Sequence, residues 1–206
     1  MRLYTRDYRH VTPEELKEHE GIMGREDTGL KLVRKNLYRE YSEAMRHHLS
    51  LFPNNHIELF DWNQRDDYDN LIDEFEKLVH KEGVLEQEIL NYINHTPAYH
   101  IVGSLFLAAG FTFGHHDAYV FPEFKLGSFR ADYLLIGSGS GGYEFVFVEL
   151  EKSQGYVTLK DGHPGLAIRK GCFQIEDWLE WLEGNFNDFS SSLQAEKGFK
   201  NFPRNS

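Results

Sequence analysis

Apolar side chains are spaced in a way that divides the chain into helical, extended and again helical stretches. Within 30–51 and 68–79, apolar residues recur every three or four positions, which is the period of an amphipathic helix. Thr12-Pro-Glu-Glu has the form of a capping box with proline at the first helical position. We therefore predict that residues 12–80 are mainly helical.

Gly83 interrupts this pattern and marks the expected domain boundary. A new amphipathic helix is predicted over 84–95, ending shortly before Pro97. The chain is therefore divided into a helical N-terminal accessory region, 1–83, and a second domain, 84–206.

The middle of the second domain is predicted to be a β-sheet. Gly137-Ser-Gly-Ser-Gly-Gly is expected to form the turn between the last two strands, because it contains too much glycine to continue either one. Both faces of the strand that follows are apolar, which indicates a sheet covered on both sides and an α/β or α+β fold. The predicted extended segments are 111–113, 119–125, 131–136 and 143–151.

After Pro164 the pattern returns to that of a helix. Its apolar residues are spaced to bury one face against the sheet, and the single cysteine is expected to be one of the buried side chains. The tail from Gly184 onward is polar, and we expect it to be loose or to add a short strand near 198–202; otherwise the domain is truncated. The residues of the expected buried face are Ile168, Cys172, Ile175, Leu179 and Leu182.

Composition narrows the class of protein. The formal net charge of −11 argues against a protein that coats nucleic acid through a general basic surface. One cysteine excludes an intramolecular disulfide and a cysteine-rich zinc site. No apolar run is long enough to cross a membrane, and the first residues lack the apolar core of a signal peptide, so we expect a cytoplasmic protein without membrane contact.

Acidic side chains are concentrated on the predicted hairpin. With a turn centred on 138–141, Asp132 lies opposite Phe147, and Glu149 is its diagonal neighbour on the same face. Glu151 shares that face because side chains alternate along a strand. Three converging carboxylates are typical of a Mg²⁺ site, although strand ends also carry charges that only limit edge pairing.

A family resemblance favours the metal site. Asp132 with a hydrophobic strand, a turn and then Val148-Glu149-Leu150-Glu151 resembles the PD-(D/E)xK nuclease motif. The wider pattern VELEKSQGYVTLKDGHPGLAIRKGCFQIEDWLEWL, with the leading helix LEQEILNYINHTP, is similar to the Shedu family of anti-phage nucleases. The resemblance covers about residues 84–182.

Fold, activity and site residues follow from this resemblance as expectations. It implies a PD-(D/E)xK-like central mixed sheet flanked by helices and a DNA endonuclease that uses Mg²⁺ or Mn²⁺. It implies that Asp132 and Glu149 hold the metal, with Glu88 as an additional ligand and Glu86 as the competing choice. It also implies that Gln174 approaches the active site.

One position departs from the motif. The family pattern has lysine two residues after the glutamate, where this chain has Glu151. Lys160 and Lys152 are the candidates to supply the missing ammonium group. The alternative is a catalytically impaired nuclease fold that binds nucleic acid or a protein partner. Assembly into a homo-oligomer is a further expectation.

Overall fold

The computed structural model describes residues 2–27, 37–58, 67–96, 98–110, 118–139 and 142–198. Within these ranges the helices are α1 (Pro13–Asp27), α2 (Glu43–His48), α3 (Tyr68–His80), α4 (Glu86–His95), α5 (Tyr99–Ala108) and α6 (Leu166–Ala195), with a 3-10 turn at Tyr38–Glu40. The strands are β1 (His56–Ile57), β2 (Ala118–Leu126), β3 (Phe129–Gly139) and β4 (Gly142–Val148). The predicted segment 111–113 lies outside the described residues.

The start of α1 confirms the predicted capping box. The Thr12 backbone N–H donates to the Glu15 carboxylate at 2.8 Å, and the Glu15 N–H donates to Thr12 Oγ1 at 3.2 Å. Helices α3 and α4 also lie where the apolar spacing predicts them. Helix α5 was not predicted, because its sequence YHIVGSLFLA is apolar on nearly every side and so lacks a helical period.

The sheet is antiparallel throughout the described strands, in the order β1-β2-β3-β4. The fold is therefore mixed α and β, compatible with α+β, and the expectation of a mixed parallel and antiparallel sheet is wrong for these strands. The short connections between β2 and β3 and between β3 and β4 account for the antiparallel pairing of these three strands, whereas β1 is joined to β2 by a long segment that contains α3, α4 and α5.

The β3–β4 hairpin has a register two residues away from the predicted one. Tyr133 pairs with Val148, and Gly139 pairs with Gly142, so the glycine-rich segment continues both strands instead of forming a six-residue turn. A shift of one residue would have moved every side chain to the other face, whereas a shift of two preserves the faces. Asp132 and Glu149 consequently remain neighbours.

Two apolar layers cover the sheet, as predicted. On one face, Val120, Tyr133 and Leu135 pack against residues of α4 and α5. On the other face, Phe121 and Leu134 and their neighbours pack against α6. Alternation of side chains along β2 and β3 supplies both layers from the same two strands.

Residues on both sides of position 83 share these layers. Leu3 and Ile57 belong to the first layer, and Phe52 belongs to the second. In addition, β1 pairs with β2, and the Val120 N–H donates to the Asn55 carbonyl at 2.9 Å. The predicted boundary near residue 83 therefore does not separate two hydrophobic cores.

Helix α6 differs most from its prediction. It continues to Ala195 with a kink at Asn185, and Phe189 and Leu193 are buried, so the segment after Gly184 is not a loose tail. The face turned to the sheet contains Gly171 and Trp178. Most of the predicted buried face is instead exposed, namely Ile168, Cys172, Ile175 and Leu179, whereas Leu182 is partly buried.

Burial of Trp178 accounts for this rotation. The indole is only 2% exposed and removes more apolar area from water than the smaller side chains on the competing face.

At the end of the described chain, the Gly198 N–H donates to the Leu51 carbonyl at 3.0 Å. Apart from Gly198, the predicted strand near 198–202 lies outside the described residues. No helix within the described ranges is both long and apolar enough to span a membrane.

Candidate metal centre

Three carboxylates from three separate elements meet at one end of the sheet. Asp132 is on β3, Glu149 directly follows β4, and Glu86 is the first residue of α4. One oxygen from each carboxylate lies within 4.8 Å of the other two. All three residues are partly buried. We call Glu86, Asp132 and Glu149 the acidic triad.

A backbone hydrogen bond fixes Asp132 at the end of the hairpin. Regular pairing of β3 with β4 ends at Tyr133 and Val148. The Leu150 N–H then donates to Asp132 Oδ2 at 2.6 Å, so a side chain replaces the next rung of the ladder. This contact holds the Asp132 carboxylate beside the chain segment that carries Glu149.

The environment of the triad favours the protonated form of two of its members. Burial raises the pKa of Asp132 to about 6, and the neighbouring charge of Glu86 adds to the effect. Burial also raises the pKa of Glu149 to about 7, with repulsion from Asp132 as the second cause. A cation bound between the carboxylates would lower both pKa values, because it would stabilise the charged form of each group.

Gln174 of α6 lies beside Glu149. Its side chain hydrogen-bonds to Glu149, which partly offsets the rise in the pKa of that carboxyl. Its amide oxygen Oε1 is buried and accepts no hydrogen bond from the described residues. A buried acceptor without a donor costs about 1–3 kcal/mol. A water molecule held by a cation at the triad would be a suitable donor.

The ammonium group beside the triad belongs to Lys170 of α6. Lys170 Nζ lies 2.7 Å from Glu151 Oε1 and 3.9 Å from Glu86 Oε2. The hydrogen bond to Glu151 raises the pKa of Lys170, so the ammonium stays charged. Glu151 therefore lies next to the triad as the partner of Lys170, and it is not one of the three converging ligands.

Neither lysine that was expected to replace the motif lysine reaches this cluster. Lys152 and Lys160 are exposed, and within the described part of the chain neither makes a hydrogen bond or ion pair. Lys170 was not one of the two lysines predicted for this role. It escaped prediction because its position depends on how α6 is rotated against the sheet.

Glu88 has a different role from the one expected. Its carboxylate accepts the Leu85 N–H at 2.9 Å and the Lys81 ammonium at 2.7 Å. These contacts cap the first turn of α4, so Glu86 takes the place in the triad. The sequence contained no clear signal for this cap, because Leu85 at the N-cap lacks the side-chain oxygen of a complete capping box.

Gly171 allows α6 to approach the acidic side chains closely. A Cβ atom at this position would lie 3.5 Å from Glu151 Cγ and 4.0 Å from Glu149 Cγ. Alanine would therefore make ordinary van der Waals contact, whereas a larger side chain would crowd the carboxylates. The short distance brings Lys170 and Gln174, on either side of the glycine, to the site.

The acidic triad lies near cationic side chains and near a groove that is open to solvent. An open groove along α6 begins beside Lys170 and Gln174. Oxygen ligands of this kind suit Mg²⁺ and Mn²⁺, and the donor set lacks the thiolates and imidazoles that favour softer metals. The other residues lining the groove are Leu166, Arg169, Phe173 and Asp177.

Comparison of the chain with family models, with curated proteins and with solved structures finds no match in any of the three. The function is therefore inferred from the geometry of this chain and from its sequence motifs.

Proposed function

We propose that the protein is a metal-dependent nuclease that hydrolyses DNA phosphodiester bonds. The observation that carries this proposal is the convergence of Glu86, Asp132 and Glu149 from a helix and two strand ends. Keeping partly buried acids together is unfavourable unless a cation neutralises them. The raised pKa values of Asp132 and Glu149 are consistent with that cost.

The triad would hold one Mg²⁺ or Mn²⁺, which would activate water and neutralise charge on the attacked phosphodiester. Gln174 would orient Glu149 through their hydrogen bond. Lys170 would supply a positive charge for the phosphate, anchored by Glu151. In this interpretation Lys170 takes the role for which Lys152 and Lys160 were considered.

DNA as the substrate is supported by local charge. Although the chain is acidic as a whole, Arg169 and Lys170 line the groove that adjoins the triad. Cationic side chains beside a metal would position the phosphate backbone without a general basic surface. The proposal includes a PD-(D/E)xK-like domain and a Shedu-type role in anti-phage defence, and the sequence motif around Asp132 and Glu149 supports both.

Cleavage assays on single substitutions test the proposal. Supercoiled plasmid and labelled linear DNA are incubated with Mg²⁺ or Mn²⁺ and the purified chain. Glu86→Gln, Asp132→Asn and Glu149→Gln should each reduce cleavage at least a hundredfold, whereas the control Glu88→Gln should retain it. Unchanged cleavage in the three triad variants would reject the assigned site.

A specific observation favours a second candidate function. Glu151 pairs with Lys170 and neutralises its charge. Among the described residues, Lys170 carries the one ammonium group that forms an ion pair with a member of the acidic triad, namely Glu86. A nuclease fold that has lost activity would bind nucleic acid or a protein partner through the same surface. Salt-dependent DNA binding without cleavage, weakened by Arg169→Ala and retained in Glu149→Gln, would support this second function over the first.

A further inference from the structure

Helix α6 carries a row of large apolar side chains that its own sheet does not cover. Ile168 is 41% exposed, Ile175 36%, Leu179 54% and Phe186 60%, and Cys172 is also exposed. We call these five residues the α6 stripe. Scattered exposed apolar residues are ordinary, but a continuous row along one helix indicates an interaction surface.

The spacing of the stripe is that of a helix–helix seam. With the partly buried Leu182, the intervals along the row alternate between four and three residues, which is the heptad pattern of a coiled coil. The same alternation continues to Phe189 and Leu193, where the sheet buries it beyond the kink at Asn185. From Ile168 to Leu182, before the kink at Asn185, the row is about 21 Å long, enough for several layers of interlocking side chains, and Phe186 extends it just past the kink.

Charged residues follow only one edge of the stripe. Arg169, Glu176 and Glu183 are exposed and recur every seven residues. The other edge contains Gly171 and Trp178, which are buried. A partner helix can therefore make polar contacts along a single edge, and the order of charges on that edge runs from positive to negative.

We propose that the α6 stripe binds the α6 stripe of a second copy of the chain, with the two helices antiparallel. In that orientation Arg169 of each copy meets Glu183 of the other, whereas parallel helices would place like charges together. The apolar layers would pair Ile175 with Leu179 and Ile168 with Phe186. Every contact occurs twice, as in an isologous two-fold interface.

Charge complementarity selects the second copy over other occupants. A different partner would need its own matching row of apolar and charged positions, whereas the stripe already contains both halves of the required pattern. Glu176 lies near the predicted two-fold axis and would face its own counterpart. This like-charge contact weakens the dimer, so Glu176→Gln should tighten self-association several-fold.

Sedimentation velocity of the full chain over a range of concentrations tests the interface. The natural chain should dimerise reversibly, and Ile175→Glu should raise the dimer dissociation constant at least tenfold. Phe173→Glu is the matched control, because Phe173 is 63% exposed on a different face of the same helix. A monomer at every concentration, or equal effects of the two substitutions, would overturn the proposal.

Charge exchange tests the orientation and remains informative if a single apolar variant misfolds. Arg169→Glu and Glu183→Arg should each weaken the dimer, and the double variant should restore it. Failure of the double variant to restore association would overturn the antiparallel arrangement.

Cysteine cross-linking gives an independent test of orientation. Parallel helices would bring Cys172 next to Cys172 of the second copy, whereas the antiparallel dimer places it beside Leu182. Mild oxidation should therefore leave the natural chain uncrosslinked and should link a variant carrying Cys172→Ser, Ile175→Cys and Leu179→Cys. A disulfide dimer of the natural chain, or no cross-link in the variant, would contradict the orientation.

Discussion

Removing the acidic group of Glu149 should stabilise the metal-free protein at alkaline pH. The Glu149→Gln substitution keeps the size of the side chain and an oxygen that can accept from Gln174, but it eliminates the titrating proton. Because the folded-state pKa of Glu149 is raised, the folded protein binds this proton more tightly than the unfolded chain does. The stabilisation is complete below the unfolded pKa and is lost as pH rises through about 7.

The size of the effect follows from the shift. A rise from the ordinary value of 4.5 to about 7 corresponds to about 3 kcal/mol at the usual conversion. Glu149 is only partly buried, and solvent screening reduces this to about 1–2 kcal/mol. The variant and the natural chain should therefore have similar free energies of unfolding at pH 5, and the variant should be more stable by that amount at pH 8.

Urea denaturation at pH 5 and pH 8, with a chelator present, measures this difference. Glu144→Gln is the matched control, because Glu144 is an exposed glutamate on β4 and should show the same small effect at both values. Adding Mg²⁺ at pH 8 should reverse the order, because the cation stabilises the natural chain by mass action. A difference between Glu149→Gln and the natural chain that does not change with pH would refute the reasoning.

Three further predictions concern α6 and its surroundings. Lys170→Met should reduce Mg²⁺-dependent cleavage at least a hundredfold while Mn²⁺ binding persists, and equal losses of cleavage and binding would contradict a role toward phosphate. Gly171→Ala should raise the free energy of unfolding by about 0.5–1 kcal/mol. Gly165→Ala should instead lower the free energy of unfolding by about 1–3 kcal/mol, because a Cβ atom at this position would lie 1.6 Å from the Tyr156 carbonyl oxygen. Urea denaturation of both variants measures the two changes. Phe189→Ala should cost about 3–5 kcal/mol, since Phe189 is 2% exposed and packs on Phe124 and Phe147, and a cost near that of the exposed Phe173→Ala would contradict its place in the core.

Local sequence signals predicted the parts of the fold that depend on neighbouring residues. The capping box at Thr12, the helix over 68–79 and the pairing of the last two strands required only spacing and turn chemistry. The two-residue error in the hairpin register arose because the glycine-rich segment was treated as a break, although glycine continues both strands up to the turn. The acids stayed on one face because the error was even.

Features that depend on packing between distant segments were not predictable in the same way. Two apolar faces of α6 compete for the sheet, and only the assembled core shows that Trp178 decides the rotation. Lys170 reaches the site because of that rotation. The choice between Glu86 and Glu88 depends on where α4 begins, and the cap formed by Glu88 at Leu85 places Glu86 toward the strands.

Calorimetric titration with Mn²⁺ tests the central claim most directly, because it detects the metal site without requiring cleavage. The natural chain and Glu88→Gln should bind one ion per chain, with protons released near pH 6.5, where the pKa of Glu149, about 7, keeps that carboxyl largely protonated. Glu86→Gln, Asp132→Asn and Glu149→Gln should each bind at least tenfold more weakly. Undetectable binding to the natural chain, or unchanged binding in the three triad variants, would contradict the account.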